Sequence, residues 1–228
     1  GPTGSSKTTT LYSALAEINE PGVNISTAVD PIEYDLPAVT QIQANSDIGL
    51  TFASILRAFL RQDPVILLVG ETRDKETAHT AVEAALTGHL VFTTLHTNNA
   101  AAAFTRLNEM GIEPFLVSSS TVGVIAQRLA RRLCQTCKEE YEAEPDTCAY
   151  FGLEPGTKLF RGAGCTECGG RGVRGRIGIY EVMRMNPTLR HMVGTGKRAE
   201  EIAEAALNGG MIDLKKYSAI LLREGLTT

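Results

Sequence analysis

The first ten residues of the chain constrain its fold more than any other stretch. They read Gly-Pro-Thr-Gly-Ser-Ser-Lys-Thr-Thr-Thr, close to the phosphate-loop pattern G-x-x-x-x-G-K-[ST]. A helical stripe of Leu11, Leu15 and Ile18 follows directly, so the positive end of a helix would face a bound anion. In such a loop, backbone N–H groups and Lys7 surround phosphate oxygens, and the hydroxyl of Thr8 binds Mg²⁺. We therefore expect an α/β fold whose phosphate site comprises Gly1, Thr3, Gly4, Ser5, Ser6, Lys7, Thr8 and Thr9.

Ser6 departs from this pattern, because the second glycine of the motif is expected at its position. If the position requires a positive φ, a Cβ there costs about 1 kcal/mol. The alternative interpretation of residues 1–10 is a Gly/Ser-rich tail, which the register of Lys7, Thr8 and the following helix argues against. The strand that normally leads into a phosphate loop is not in the sequence, so we expect a fragment cut just upstream of its nucleotide site.

Composition narrows the class of protein. The 228 residues are 43% hydrophobic and 21% charged, which is ordinary for a globular protein with one large domain or a core and a smaller satellite. The formal net charge of −4 argues against general nucleic-acid binding and leaves only a local basic patch open. No apolar run approaches the roughly 18 residues that would span a membrane, and no signal peptide is visible, so a cytoplasmic location is expected.

Three predicted strands end on polar side chains. Apolar runs at residues 24–29, 65–69 and 90–95 predict buried strands of a parallel sheet. In open α/β sheets, ligands bind at the carboxyl ends of the strands. The candidate side chains that follow these runs are Asp30, Glu33, Glu71, Arg73 and His96.

Two of these candidates have specific expected roles. Glu71 would hold Mg²⁺ through water or orient an attacking water, and His96 would sense the γ-phosphate. The alternatives are a surface glutamate, a structural histidine and, for Asp30 and Glu33, a solvated turn.

Helix signals complete the sequence-based fold. They predict helices over residues 51–62, 75–86, 100–110 and 118–133, and two short helices between 199 and 225 separated at Gly209-Gly210. Thr51 is the expected N-cap of the first of these, and Pro64 its stop. The arginines near residue 130 would favour the C-terminus of the 118–133 helix.

Four cysteines form two C-x₂-C pairs, Cys134 with Cys137 and Cys165 with Cys168, on either side of a 27-residue gap. This spacing indicates a tetrahedral Zn²⁺ site, and four thiolate ligands leave no open position for water, so the site would be structural. The alternative is two disulfides, which a cytosolic location disfavours. Cys148 has no partner and is expected to be a small buried side chain.

The glycine- and arginine-rich stretch at residues 169–176 has two interpretations. It is either a turn leading into a strand at residues 177–183 or a segment that binds RNA or phosphate. The acidic net charge of the chain favours the turn.

Several stretches together carry a family resemblance. They are residues 1–12, 30–34, 60–64, 69–74, 86–89, 94–98 and 127–129. In order and spacing they resemble the hexameric secretion ATPases, the motors of type II secretion and type IV pilus assembly. The resemblance covers nearly the whole chain, and the cysteines resemble an insertion of the secretion and pilus-extension branch that retraction motors lack.

The resemblance implies a fold in three parts. Residues 1–133 would form a RecA-like P-loop NTPase core with a mainly parallel sheet. Residues 134–176 would form a small zinc-binding tetracysteine subdomain, and residues 177–228 a C-terminal strand and helical segment.

The resemblance also implies cofactors and roles. The phosphate loop would hold ATP and Mg²⁺, and the four cysteines would hold Zn²⁺. Asp30 and Glu33 fall in an acidic box beside the magnesium ion. Glu71 would polarise water, with Arg73 of the same motif contacting the nucleotide. His89 and His96 match a histidine box.

Members of the family act as multi-subunit assemblies, so the resemblance also predicts partners. The resemblance implies a homo-hexamer that contacts an inner-membrane platform protein, no direct nucleic-acid contact, and a cytoplasmic location at the inner membrane face held through partners. In the family a separate N-terminal domain precedes this region and supplies arginines to a neighbouring subunit's nucleotide. The fragment is therefore expected to hydrolyse ATP poorly by itself.

Four positions depart from the family pattern, namely Ser6, Val29, Val65 and Asn99. The last three each remove a carboxylate, and losing a water-orienting or metal-holding group lowers turnover by orders of magnitude while binding persists. One alternative is therefore a catalytically weakened nucleotide-binding ring or scaffold subunit. A further alternative is a nucleic-acid-dependent ATPase with a zinc ribbon.

Overall fold

The centre of the fold is a four-stranded parallel sheet in the computed structural model, which describes residues 1–228. Its strands are β1 (Ile25–Val29), β2 (Thr40–Gln43), β3 (Ile66–Val69) and β4 (Leu90–Thr93), in the order β2-β1-β3-β4. All three pairings are parallel, as predicted, so the four carboxyl ends lie at one edge of the sheet. The polar strand β2 was not predicted, because its Thr-Gln-Ile-Gln sequence carries little apolar signal.

β3 is buried on both faces, as its continuous apolar run predicts. Successive side chains of a strand point to opposite faces. Ile66 and Leu68 pack with Leu15 in one apolar cluster, while Leu67 and Val69 pack in a second cluster on the other face. The sheet is therefore a middle layer covered on both sides.

Five helices follow the strands and loops of this part of the chain. They are α1 (Lys7–Ile18), α2 (Phe52–Phe59), α3 (Lys75–Leu86), α4 (Ala102–Glu109) and α5 (Pro114–Ser120). Thr51 accepts a hydrogen bond from the Ser54 N–H and caps α2, as predicted. Asp74 caps α3 in the same way at the Thr77 N–H. α2 stops at Phe59, three residues before its predicted end.

The predicted helix at residues 118–133 is wrong. α5 ends at Ser120, and the following residues form strand β5 (Gly123–Leu133), which pairs antiparallel with β8 (Val173–Arg184). The helix prediction followed the Ala, Gln, Arg and Leu residues of this stretch. These residues favour helices, but by too small a free energy to decide the conformation by themselves. Pairing with a long partner strand decides the conformation instead. The arginines expected at a helix C-terminus therefore lie on a strand.

β8 is longer than the predicted strand at 177–183 and begins inside the glycine- and arginine-rich stretch, at Val173. We name the antiparallel pair of β5 and β8 the ribbon. The predicted boundary between residues 176 and 177 falls inside β8. The three-part division of the chain stays a prediction.

The cysteine-rich region has its own small sheet and core. β6 (Lys138–Glu142) pairs antiparallel with β7 (Lys158–Gly162), and α6 (Pro145–Phe151) lies between them in sequence. Cys148 is buried in this core with Leu153 and Leu159, as expected for a small apolar side chain.

Three helices end the chain, α7 (Pro187–Gly194), α8 (Ala199–Asn208) and α9 (Leu214–Arg223). The last two are the predicted pair, separated at Gly209-Gly210. α7 was not predicted from its short sequence, although Asn186 caps it at the Leu189 N–H. None of the helices combines the length and apolar character needed to cross a bilayer.

Candidate nucleotide and metal sites

The glycine-rich loop turns sharply and leads straight into α1. Gly4 and Ser6 have φ angles of 77° and 62°, and α1 begins at Lys7. The positive φ that the motif requires at Ser6 is therefore present, with a serine in a conformation that favours glycine. Ser5 is buried, and its hydroxyl donates to the Pro2 carbonyl at 2.9 Å.

The Lys7 side chain folds back onto the start of this loop. Its ammonium donates to the carbonyls of Gly1 at 2.9 Å and Pro2 at 3.0 Å. Burial lowers the pKa of Lys7, the Glu71 carboxylate acts in the opposite direction, and Arg128 lowers it further. These three charges therefore belong to one electrostatic cluster.

The ribbon fixes the loop from the side. The Gln127 amide donates to the Ser6 carbonyl at 3.3 Å and accepts from the Thr10 hydroxyl at 2.8 Å. A Cβ added to Gly1 would meet the Gln127 carbonyl at 2.7 Å, so only glycine fits there without movement. Sequence reasoning matched Gln127 to the family pattern but missed its function, because it placed the residue on a helix.

The carboxyl ends of β3 and β4 meet at this loop. The Gly1 nitrogen donates to the Leu95 carbonyl at 3.1 Å. The Thr72 N–H donates to the Thr94 carbonyl at 3.0 Å, and the Thr94 hydroxyl donates back to the Gly70 carbonyl at 2.7 Å. Hydrogen bonds thus connect the ends of the two strands to each other and to the loop.

Glu71 occupies the centre of this edge. Its side chain is only 18% exposed, lies 2.6 Å from Arg73 Nε and lies 3.6 Å from His96 Nε2. The structure therefore brings together Lys7, the Glu71–Arg73 pair and His96, which lie on three separate segments of the sequence. Thr8 lies in the first turn of α1, and Thr3 and Thr9 are exposed beside the same loop.

The acidic box lies at the same edge, one strand further along. Asp30 directly follows β1, which is the neighbour of β3, and both Asp30 and Glu33 are exposed. Tyr34 of this segment packs edge-on against Tyr12 of α1, with 5.5 Å between ring centroids. Burial raises the pKa of Tyr12. The acidic segment is therefore tied to the helix that follows the phosphate loop.

Two of the positions singled out lie elsewhere. His89 precedes β4 and so lies at the amino edge of the sheet, roughly 13 Å of strand away from the cluster. There its Nδ1 contacts the Ala84 carbonyl at 2.9 Å and the Thr87 hydroxyl at 3.2 Å. Val65 lies at that same amino edge and is 50% exposed. The structure does not bring His89 to the cluster, and its role in nucleotide binding stays a prediction.

The two remaining departures have local explanations. Asn99 supports the segment that leads into α4, because its side chain accepts the Ala102 N–H at 2.9 Å, as an aspartate would. Val29 is 3% exposed and packs with Leu15 and Ile66. No carboxylate reaches the edge from position 29.

A mainly apolar cavity of about 800 Å³ adjoins the charged cluster. It runs along β4 and the start of β5, with Lys7 at one side. Its walls suit apolar groups rather than a polyphosphate.

The four cysteines form a compact cluster with the spacing that Zn²⁺ requires. Their sulfur atoms all lie within 4.8 Å of one another, and Cys134–Cys165, Cys137–Cys168 and Cys165–Cys168 are 3.8, 3.9 and 3.8 Å apart. Zn–S bonds of about 2.3 Å in a tetrahedron give S–S edges of about 3.8 Å. A disulfide needs about 2.0 Å, and all five cysteines are free.

Backbone groups support the cluster. The N–H groups of Cys165 and Gly172 each donate to Cys168 Sγ at 3.2 Å. The hydrogen bond from the Cys165 backbone lowers the pKa of the Cys168 thiol to about 6, which favours the thiolate that binds metal. The donor set therefore fits a closed, structural zinc site.

Comparisons with known proteins agree with this geometry. The chain is 50% identical over its whole length to the type IV pilus assembly ATPase PilB of Thermus thermophilus and covers 26% of it. It is 49% identical over its whole length to the type II secretion system protein E of Pseudomonas aeruginosa and covers 46% of that protein. The chain thus spans less than half the length of these relatives.

A solved structure agrees in fold. The crystal structure of the pilus retraction motor PilT with bound ADP superposes with a TM-score of 0.72 and is 29% identical in sequence. The match covers all of this chain and 57% of the PilT chain. The family described as "Type II/IV secretion system protein" matches residues 1–228. The chain therefore belongs to the type II/IV secretion system protein family, with a P-loop ATPase fold.

Proposed function

We propose that this chain is the ATP-binding and ATP-hydrolysing motor domain of a machine that assembles type IV pili or drives type II secretion. The observation that carries the proposal is the convergence of Lys7, Glu71 and His96 on the phosphate loop at the carboxyl edge of the sheet. The similarity to a type IV pilus assembly ATPase and to a type II secretion protein, and the ADP bound to the pilus retraction motor PilT, support the same function.

The phosphate loop binds the triphosphate in this proposal. Backbone N–H groups from Gly4 to Thr9 and the positive end of α1 face the anion. The Lys7 ammonium exchanges the carbonyls of Gly1 and Pro2 for the β- and γ-phosphate oxygens. The Thr8 hydroxyl would hold Mg²⁺, and the ion would neutralise charge on those oxygens.

Glu71 orients the attacking water and takes up its proton. Its side chain is largely shielded from solvent, as this role requires, and His96 Nε2 lies beside its carboxylate. Arg73 pairs with the same carboxylate from an exposed position, so it is free to turn toward a phosphate. Asp30 and Glu33 follow the neighbouring strand at the same edge of the sheet and would help to hold the magnesium ion.

The motor acts as a homo-hexamer with nucleotide at each subunit boundary. The exposed side chains around Glu71 leave the site open on one flank, which a neighbouring subunit would close. His89, at the opposite edge of the sheet, would then face a neighbour's nucleotide rather than its own. Contact with an inner-membrane platform protein would hold the ring at the cytoplasmic membrane face, without direct nucleic-acid contact.

Zn²⁺ stabilises the cysteine-rich region in this proposal and takes no part in hydrolysis. Cys134, Cys137, Cys165 and Cys168 supply all four ligands, so the ion has no open position for water. Metal binding supplies folding free energy to a region with few buried apolar side chains.

A catalytically weakened nucleotide-binding subunit of the same machine is the second candidate. It is favoured by Val29, whose buried side chain supplies no carboxylate at the strand end where the family has one, and by the strained Ser6. Both candidates bind nucleotide, and they differ in turnover.

Phosphate release by the full-length protein separates the two candidates. A Lys7→Ala variant is compared with Lys216→Ala, which removes an exposed lysine of α9 outside the phosphate loop. We expect turnover that is lost in Lys7→Ala and retained in Lys216→Ala. If the parent protein binds nucleotide but shows no turnover above that of Lys7→Ala, the weakened subunit is favoured instead.

A further inference from the structure

The loop that carries His96 is held by the ribbon as well as by its own strand. This loop, residues 94–101, connects β4 to α4. Arg128 Nη2 on β5 donates to the Asn98 carbonyl at 2.7 Å. Glu181 Oε1 on β8 accepts the Ala100 N–H at 2.7 Å. Two side chains from the ribbon therefore hold the far half of the loop through its backbone.

Glu181 is an unusual residue for its place in the fold. It is 5% exposed on a strand, and buried glutamates are rare unless they have a specific partner. Its carboxylate meets the Ala100 N–H next to the start of α4, where the helix dipole favours negative charge. The pairing register places Glu181 opposite Ala126, which packs in the same apolar cluster as Ala100.

The two faces of the ribbon have different tasks. Successive residues of a strand point to opposite faces. Gln127 points toward the phosphate loop, which it contacts at Ser6 and Thr10. Arg128 and Glu181 point toward the loop that carries His96. The ribbon thus sets the distance between the nucleotide-binding loop and the side chains that face it from β4.

We propose that Glu181 is a positioning residue for ATP hydrolysis, which keeps His96 beside Glu71 by holding the Ala100 N–H. This inference rests on the proposed function of the site. Since Gln127 holds the phosphate loop from the other face, loss of the Glu181 contact affects the chemical step rather than nucleotide binding.

Two conservative variants separate the effect of side-chain length from that of charge at position 181. Glu181→Asp keeps the charge, but its side chain is one methylene too short for the Ala100 N–H. Glu181→Gln keeps the length and an oxygen acceptor and removes the charge. In the full-length protein we expect Glu181→Asp to lower kcat by about tenfold or more, with KM for ATP within about threefold. Glu181→Gln should stay within about threefold of the parent in kcat.

The matched control is Asn186→Ala. It removes another side chain that accepts a backbone N–H near the start of a helix, here the N–H of Leu189 in α7. A general loss of stability would lower kcat in this control as much as in Glu181→Asp. We expect its kcat to be unchanged.

Amide hydrogen exchange gives a readout that does not depend on turnover. Glu181→Asp should speed exchange across residues 94–101, and Glu181→Gln should not. If the parent protein shows no turnover that depends on Lys7, the proposed function fails, while the exchange result still decides whether Glu181 holds the loop that carries His96. The inference is overturned by unchanged exchange and kcat in Glu181→Asp, by a rise in KM alone, by an equal loss of kcat in Asn186→Ala, or by a loss in Glu181→Gln as large as that in Glu181→Asp.

Discussion

The two sites of this molecule are built in opposite ways. The cysteine cluster draws its ligands from two short turns of one region, and all four sulfur atoms already lie within 4.8 Å of one another. The nucleotide edge gathers residues from α1 and the ends of β1, β3 and β4, and several of its side chains remain exposed. A closed site of this kind suits a permanent metal ion, whereas an open one suits a ligand that must enter, react and leave.

Removing a cysteine tests the closed site and has the largest expected effect. Cys168→Ser should abolish stoichiometric zinc and unfold residues 134–176, because structural zinc contributes on the order of 10 kcal/mol. Metal analysis and amide exchange of that region measure the result. Cys148→Ser, which lies outside the cluster, is the matched control for zinc content. Full retention of zinc in Cys168→Ser would show that the four sulfurs do not act together.

Glu71→Gln tests the open site. Turnover should fall by about 10²- to 10³-fold, because the amide cannot accept the proton of the attacking water. Zinc content and nucleotide binding should stay unchanged, which a fluorescent ATP analogue and metal analysis can check. The control is Glu76→Gln, an exposed residue of α3 paired with Arg57. Loss of zinc in Glu71→Gln would mean that the two sites are not independent.

His96→Gln sharpens the assignment within the open site. His96 lies 3.6 Å from Glu71 and is itself exposed, so we expect a smaller loss of kcat, about tenfold. His89→Gln should have no comparable effect in isolated subunits, since His89 lies at the other edge of the sheet. Steady-state kinetics of the two variants compare them directly. Equal losses in a non-assembling form would contradict the placement of His89.

Ser6→Gly has the smallest expected effect. It removes the strain of a left-handed serine, and the extra freedom of glycine in the unfolded chain offsets part of the gain. We expect a net rise of about 0.5–1 kcal/mol in the free energy of unfolding, measured by urea denaturation. A decrease would mean that the serine hydroxyl contributes more to the loop than the backbone strain costs.

The sequence predicted the parts of this molecule whose signals are local. The phosphate loop, the buried run at residues 65–69 and the paired cysteines each carry their chemistry within a few residues. The structure confirms the parallel sheet, the positive φ of Ser6 and the clustering of the four sulfur atoms.

The sequence failed where long-range pairing decides the structure. Residues 123–133 have the composition of a helix, and only their partner β8, some fifty residues later, makes them a strand. The roles of Gln127, Arg128 and Glu181 depend on that pairing and were missed for the same reason. His89 and His96, which the resemblance assigns to one histidine box, lie at opposite ends of β4, and the role of His89 stays a prediction.

The most direct test of the central claim is a structure of the full-length protein with a non-hydrolysable ATP analogue and Mg²⁺. We predict β- and γ-phosphates within hydrogen-bond distance of the backbone N–H groups of residues 4–9. The Lys7 ammonium should have moved from the carbonyls of Gly1 and Pro2 onto the phosphates, with Glu71 facing the γ-phosphate. Nucleotide bound elsewhere, with Lys7 still on those two carbonyls, would contradict the account.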